Sequence, residues 1–261
     1  MAAVNWDQSI KLVLISEGGN DDDPIDPGGR TSRGIIQREW NRYRATHPGL
    51  PADVWQAPQS AVLDIYRRDY WDVMRGDDLP AGFDYSVFDA CVNSGAGRAP
   101  IWAGKALGAS VRGMGDVVPL ANAAPDKVAL IQKYWSVRLS FLHGLRTWGH
   151  FGGGWGRRCA QGEAAAVRMW LSVGRGLSST DAKTRMDKES AKAKTKAKQA
   201  GTGAATTGAT TTAAPTLDPM HMSLGGKIAL GMGIAFAIVL VVYLVRQVII
   251  HNQRATAYAA S

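Results

Sequence analysis

The run from Glu17 to Ile35 reads EGGNDDDPIDPGGRTSRGI. It sets one carboxylic acid, Glu17, ahead of a Pro/Gly-rich loop carrying a second, Asp26, nine positions on, and a hydroxyl, Thr31, five positions further. A proton donor, with a second carboxylate holding water about 6.5–9.5 Å away, is the apparatus for hydrolysing a glycosidic bond. Asp26 is the candidate for the second role, with Thr31 sharing the water through its hydroxyl. Asp26 can equally close an Asx-turn, and Thr31 or Ser32 can equally cap the next helix.

Val4 to Ser16 contains no Gly or Pro, and Asn5 suits an N-cap, so a helix is expected over 5–17. Trp6, Ile10 and Val13 mark its apolar stripe, and four residues beyond Val13 comes Glu17. A carboxyl on such a face loses hydration, which favours the protonated form that a general acid needs. Gly18 and Gly19 end the helix and remove bulk beside the carboxyl, so a polymer can approach. The plainer reading is an exposed terminal Glu beside two helix-stopping glycines. In the loop, Pro24 and Pro27 exclude helix, and a small hairpin or irregular segment is expected near residues 20–35.

Asp21-Asp22-Asp23 invites a metal reading. Counted from Asp21, the sixth position of an EF-hand loop is Asp26 rather than Gly, and the twelfth is Ser32 rather than Glu, so the pattern fails. Cys91 and Cys159 show no ligand spacing and read as buried free thiols. No metal or cofactor is expected.

The chain has 261 residues, 46% hydrophobic, and a net charge of +8. Residues 181–200 hold +4 of that charge, residues 224–261 hold +3 and Asp218 holds −1, which leaves residues 1–180 at only +2. The basicity belongs to the tail, and nucleic-acid binding is not expected. Helices are expected over 5–17, 33–46, 58–74, 84–94, 98–107, 125–144 and 155–173. Breaks are expected at Pro48–Pro51, Gly76–Gly82, Gly108–Pro119 and Gly149–Gly154. Leu130, Tyr134, Val137 and Phe141 form an apolar row. Thr180 should cap an Ala/Lys-rich helix over 181–199, followed by a flexible linker at 200–219.

The Glu17–Ile35 run resembles the signature of the glycoside hydrolase family 108 lysozymes (N-acetylmuramidases) at Glu17, Gly18, Gly19, Asp23, Pro24, Asp26, Pro27, Gly28, Gly29, Thr31, Gly34 and Ile35. The likeness continues through Ile65–Trp71 and Phe88–Gly95. Arg138–Arg158 resembles the peptidoglycan-binding region that usually follows the catalytic domain. The resemblance implies a mainly helical, lysozyme-like fold, cleavage of the muramic acid to glucosamine β-1,4 bond, and Glu17 as catalytic acid. The Glu-to-Asp spacing is also similar to that of phage-type lysozymes, where the Thr comes one position later. Two positions depart from the family pattern: Asn20 where an aromatic is common, and Ile36 where Thr is usual. Tyr70 and Trp71 are candidates for the cleft wall, with a core role as the alternative. Asn93 is a candidate for holding an acetamido group, or it closes a helix. Arg157 and Arg158 either meet wall-peptide carboxylates or line a solvated face.

Ile228 to Val245 are eighteen residues without charge. As a helix they span about 27 Å, against roughly 30 Å of hydrocarbon, so a single-pass membrane helix is expected, in the bacterial inner membrane. Ala229, Gly233 and Ala237 offer a small-residue row for self-association. Met1–Trp6 carries no basic residue and Leu12–Ile15 is too short for a leader core, so no signal peptide is expected. Flanking charges leave the insertion direction open.

The expected organisation is a catalytic domain at 1–110, a helical wall-binding region at 111–180, a basic helix and linker at 181–223, a membrane helix at 224–250 and a short tail at 251–261. The leading reading is a membrane-tethered muramidase of phage or prophage lysis acting on glycan strands. The alternatives are a non-catalytic wall-binding or secretion-assisting membrane protein on the same scaffold, and a lysis partner acting mainly through its membrane helix.

Overall fold

The computed structural model describes residues 3–22, 29–212 and 224–261. Two compact units divide the chain: Met1–Phe141 with Ala166–Leu177, and Leu142–Ala165 with Ser178–Ser261. Both are mainly helical, as the sequence pattern predicts.

The first unit opens with helix α1 (Ala3–Glu17), which buries Ile10 and Val13. Asn5 does not cap it. The helix starts earlier, and Asn5 is buried within it, donating from Nδ2 to Asp84 Oδ2 at 2.9 Å. Strands β1 (Asn20–Asp21), β2 (Thr31–Ser32) and β3 (Ile35–Ile36) form a small antiparallel sheet, with Asn20 opposite Ser32 and Thr31 opposite Ile36. The expected hairpin is therefore present. Its pairing places Thr31 and Ser32 in a strand rather than at a helix cap. Because β3 uses residues 35–36, helix α2 (Gln37–Arg44) starts four residues later than its apolar pattern predicts.

Helix α3 (Gln59–Tyr66) runs into a π-helical turn at Arg67–Trp71. Helix α4 (Phe83–Ser94) is the centre of the unit, with every residue from Phe83 to Cys91 buried. The Phe88 ring meets Trp6 at 5.6 Å and Trp71 at 5.4 Å. Gly82 starts α4 at φ +78°, where a Cβ would overlap the Ala166 carbonyl, so no other residue lets these chains approach.

Helices α5 (Arg98–Leu107), α6 (Met114–Ala123) and α7 (Lys127–His143) follow. The break expected at Gly108–Pro119 is largely helix: α6 buries Met114, Val117, Val118 and Ala121, and this packing outweighs the one bond forfeited at Pro119. The buried row of α7 is Ile131, Tyr134, Trp135 and Arg138, while Val137 and Phe141 of the expected row are half-exposed. A buried arginine is invisible to an apolar count. Arg138 is ion-paired with buried Asp89 and donates to Asn93 Oδ1 at 3.1 Å. Trp135 Nε1 donates to Ser86 Oγ at 2.9 Å.

The second unit contains Trp148–Ala165 of helix α8 (Trp148–Met169), helix α9 (Ser179–Thr212) and helix α10 (Leu224–Ala260). The glycines at 149–154 do not break α8. Two glycines of α8 serve as space: a Cβ at Gly152 would overlap the Trp148 ring, and one at Gly156 would come within 2.6 Å of Gln253 Oε1. The α9 cap is Ser178, not Thr180. Its Oγ accepts from the Asp181 amide at 3.1 Å and donates to the Asp181 carboxylate at 2.8 Å. The stretch expected as a flexible linker is helical as far as Thr212, and the rest of it lies outside the described residues. The expected tail at 251–261 is helical through Ala260.

Arg138→Leu would leave the Asp89 carboxylate buried beside no cation, and should destabilise the fold by about 3–5 kcal/mol in denaturant unfolding. Asp84 gives a pH signature. Burial pushes its carboxyl up to about 7, against the opposing hydrogen bonds from Asn5 and the Tyr85 and Gly82 backbone. Between pH 4 and 7 the unfolded chain ionises this group while the fold keeps it protonated, so its contribution to stability falls as pH rises, by on the order of 4 kcal/mol in all. Asp84→Asn mimics the neutral acid. Its stability relative to the parent should rise over that window and level off above it, as read from unfolding curves at each pH.

Candidate active site

Glu17 is the last residue of α1 and is half-buried. Gly18 leaves the helix at φ +77°, and among the described residues a Cβ at Gly18 or Gly19 would meet nothing within 4 Å. The chain then enters β1, and the Gly19 carbonyl accepts from the Arg33 amide at 3.0 Å. That bond brings the β2–β3 turn back beside the end of α1.

The turn is a two-residue hairpin, Arg33-Gly34, with φ of 49° and 80° and Ser32 paired to Ile35. Positive φ at both central residues marks a type I′ turn. Here Gly34 is required twice over. Its backbone is left-handed, and a Cβ would overlap the Tyr66 hydroxyl and stand 3.1 Å from Glu17 Oε2. The Tyr66 hydroxyl donates to the Arg33 carbonyl at 2.8 Å. The Arg33 side chain fixes the other side of the turn, donating to the Ala57 carbonyl at 2.6 Å and to Gln59 Oε1 at 2.8 Å. Carboxylate, turn and tyrosine thus form one packed group.

Tyr70 lies 5.5 Å from Tyr66, ring to ring. Burial chiefly pushes its phenol up to about 12, helped by the negative charges of Glu39, Asp69 and Glu17. The hydroxyl therefore stays protonated as a donor, within the electrostatic reach of two glutamates. Cys91, fully buried in α4, is itself pushed up to about 12 by burial. Helix α1 is tied to α4 through Asn5 and Asp84, and Asn93 lies in the last turn of α4. Asn93 is exposed, and its carbonyl oxygen accepts from Arg138 and from Ser94 Oγ at 3.3 Å. That pairing turns the amide nitrogen, a donor, away from the core.

The other sequence candidates fall differently. Thr31 sits in β2, half-buried, with Oγ1 donating to the Gly29 carbonyl at 3.0 Å and its own carbonyl accepting from Trp55 Nε1 at 3.1 Å. Asp26 lies outside the described residues. Trp71 is not a cleft residue: it is 0% exposed, packed edge-on to Trp6 and Phe88, with Nε1 donating to Asp77 at 2.9 Å. An indole that fills the core and spends its N–H on Asp77 has no face left for a sugar. Sequence reasoning passed over Gly34, Tyr66, Glu39 and Arg138. The first two stand inside the motifs already read, whereas Arg138 becomes visible only once its buried partner is known.

A model of the family Glycosyl hydrolase 108 matches residues 10–95, the span that holds Glu17, the turn, Tyr66, Tyr70 and Asn93. The solved structure of Brucella abortus SagA is similar to this chain at 30% identity, with a TM-score of 0.55 over 64% of this chain and 97% of that one. No curated protein matches. With the family model matched over residues 10–95 and nearly the whole of that solved chain covered, this chain belongs to the glycosyl hydrolase 108 family and is a glycoside hydrolase of the lysozyme type.

Proposed function

We propose that this enzyme is a muramidase that cleaves the β-1,4 bond between N-acetylmuramic acid and N-acetylglucosamine in peptidoglycan, tethered to a membrane for phage or prophage lysis. The observation that carries the reading is Glu17 at the open end of α1, backed by Gly34 and flanked by glycines that leave room for a glycan strand. Glu17 gives its proton to the leaving oxygen. Asp26, with Thr31, orients the attacking water. Tyr70 donates its phenol to the substrate or to Glu17, and the Asn93 amide donates to an acetamido carbonyl. The same network that buries Arg138 sets the Asn93 amide, so stability and substrate orientation share one anchor.

For the tether, α10 is long and apolar enough over Met232–Ala260 to cross a membrane, the one such helix among the described residues. It leaves Phe236 70% and Val239 67% exposed. Lipid is the solvent that suits such a surface.

Glu17→Gln should lower the release of reducing ends from purified sacculi by about 10²–10⁴-fold without changing the unfolding midpoint. Parent-like digestion by this variant would remove the acid assignment. Two glycine variants separate packing from access. Gly34→Ala forces a Cβ into Tyr66 and a strained φ, and should lose both stability and activity. Gly19→Val meets open space, and should keep its melting temperature while kcat/KM falls through a higher KM. Equal loss of stability in both would refute the distinction.

A further inference from the structure

Helices α9 and α10 pair antiparallel along their length. Lys183 Nζ donates to the Ala259 carbonyl at 2.8 Å, and Ser190 Oγ to the Ala255 carbonyl at 2.9 Å. Further along, a Cβ at Gly201 would stand 3.7 Å from Val248, and one at Gly203 3.4 Å from Leu244. This register has a consequence that neither helix shows alone. The charged part of α9 ends at Lys198 and is followed by an uncharged run, Gln199 to Leu217. In α10 the uncharged run Ile228 to Val245 is bounded by Lys227 and Arg246, as the α9 run is bounded by Lys198 and Asp218. Because residues 201–203 lie against 244–248, the Lys198 and Arg246 boundaries fall at one level.

The charged end is closed by a buried polar knot. Glu163 accepts from Arg254 at 2.7 Å and from the Tyr258 hydroxyl at 2.9 Å, with Glu163 and Tyr258 almost wholly buried. Ala193, Ala197 and Ser190 are buried along α9 beside it. Separating these groups would strand a buried carboxylate. Just beyond Lys198, three threonines of α9 bond within the helix. Thr202, Thr206 and Thr207 donate to the carbonyls four residues back, at 3.1, 3.0 and 2.9 Å. A threonine so bonded exposes its methyl group and hides its hydroxyl, which lipid requires.

We propose that α9 and α10 lie in the bilayer together as a helical hairpin through their two uncharged runs, with Asp218 and Lys227 at the far surface, so that residues 251–261 stay on the same side as the start of α9. This rests on the membrane reading of α10 but replaces its single-pass geometry. Apolar α10 drives insertion, and the Gly, Ala and Thr surface of α9 lies against it as small-residue helix faces do in membranes. Arg246 lies within a turn of the boundary and can extend its guanidinium to the headgroups.

The test uses the full chain carrying Ser190→Cys and Ala255→Cys, with the buried native cysteines kept, bound to vesicles of mixed zwitterionic and anionic phospholipid and separated by flotation. Under mild oxidation in the floated fraction, the hairpin should give an intramolecular disulfide in most chains, seen as faster migration and loss of free thiol. In a single-pass helix the two positions lie on opposite sides of the bilayer. A floated chain that does not cross-link overturns the hairpin and leaves the tether standing. A chain that does not float, cross-linked or not, overturns both. A disulfide joining two chains overturns the hairpin in favour of pairing between copies. Unchanged sacculus digestion by the reduced variant checks that the enzyme remains folded.

Discussion

The close approach of Gly34 to the Tyr66 hydroxyl and to Glu17 Oε2 is the contact on which the rest of the active region depends. A loop that returns to the end of a helix has many ways to miss it. Here the Gly19–Arg33 backbone bond, the Tyr66 hydrogen bond to the Arg33 carbonyl and the clamp of the Arg33 side chain on Ala57 and Gln59 leave a single position for the turn. All three act through residue 33, and all three require residue 34 to have no side chain. Rigidity at this point suits the role proposed for Glu17, because a proton donor misplaced by an ångström loses much of its effect.

Behind the turn stands α4, and its burial is unusual in being partly ionic. Asp84 and Asp89 lie on a helix that is otherwise core, one bound by the Asn5 amide and the other by the Arg138 guanidinium. Each joins α4 to a different neighbour, α1 through Asn5 and α7 through Arg138. Apolar packing alone tolerates sliding of one helix on another. Directional bonds at two heights on α4 fix the register, and through it the levels at which Glu17 and Asn93 emerge.

Much of this was legible in the residues. The stripe Ile10, Val13 and Glu17 gave the first helix and its open end, and the Pro/Gly loop gave the hairpin. Three kinds of feature were not. Gly152 of α8 read as part of a break, yet it makes room for Trp148, because the absence of a Cβ serves close packing as well as turning. Pro119 read as a stop, yet buried neighbours carry α6 through it. Arg138 could not be found by periodicity, because its burial is compensated by a residue 49 positions away.

The two cysteines carry a consequence for where the enzyme can work. Both are buried outside any disulfide, and Cys91 is held as an unreactive thiol deep in α4. No cystine bridges the fold, so neither a reducing nor an oxidising compartment alters its covalent structure, and this fold needs no oxidative maturation in either.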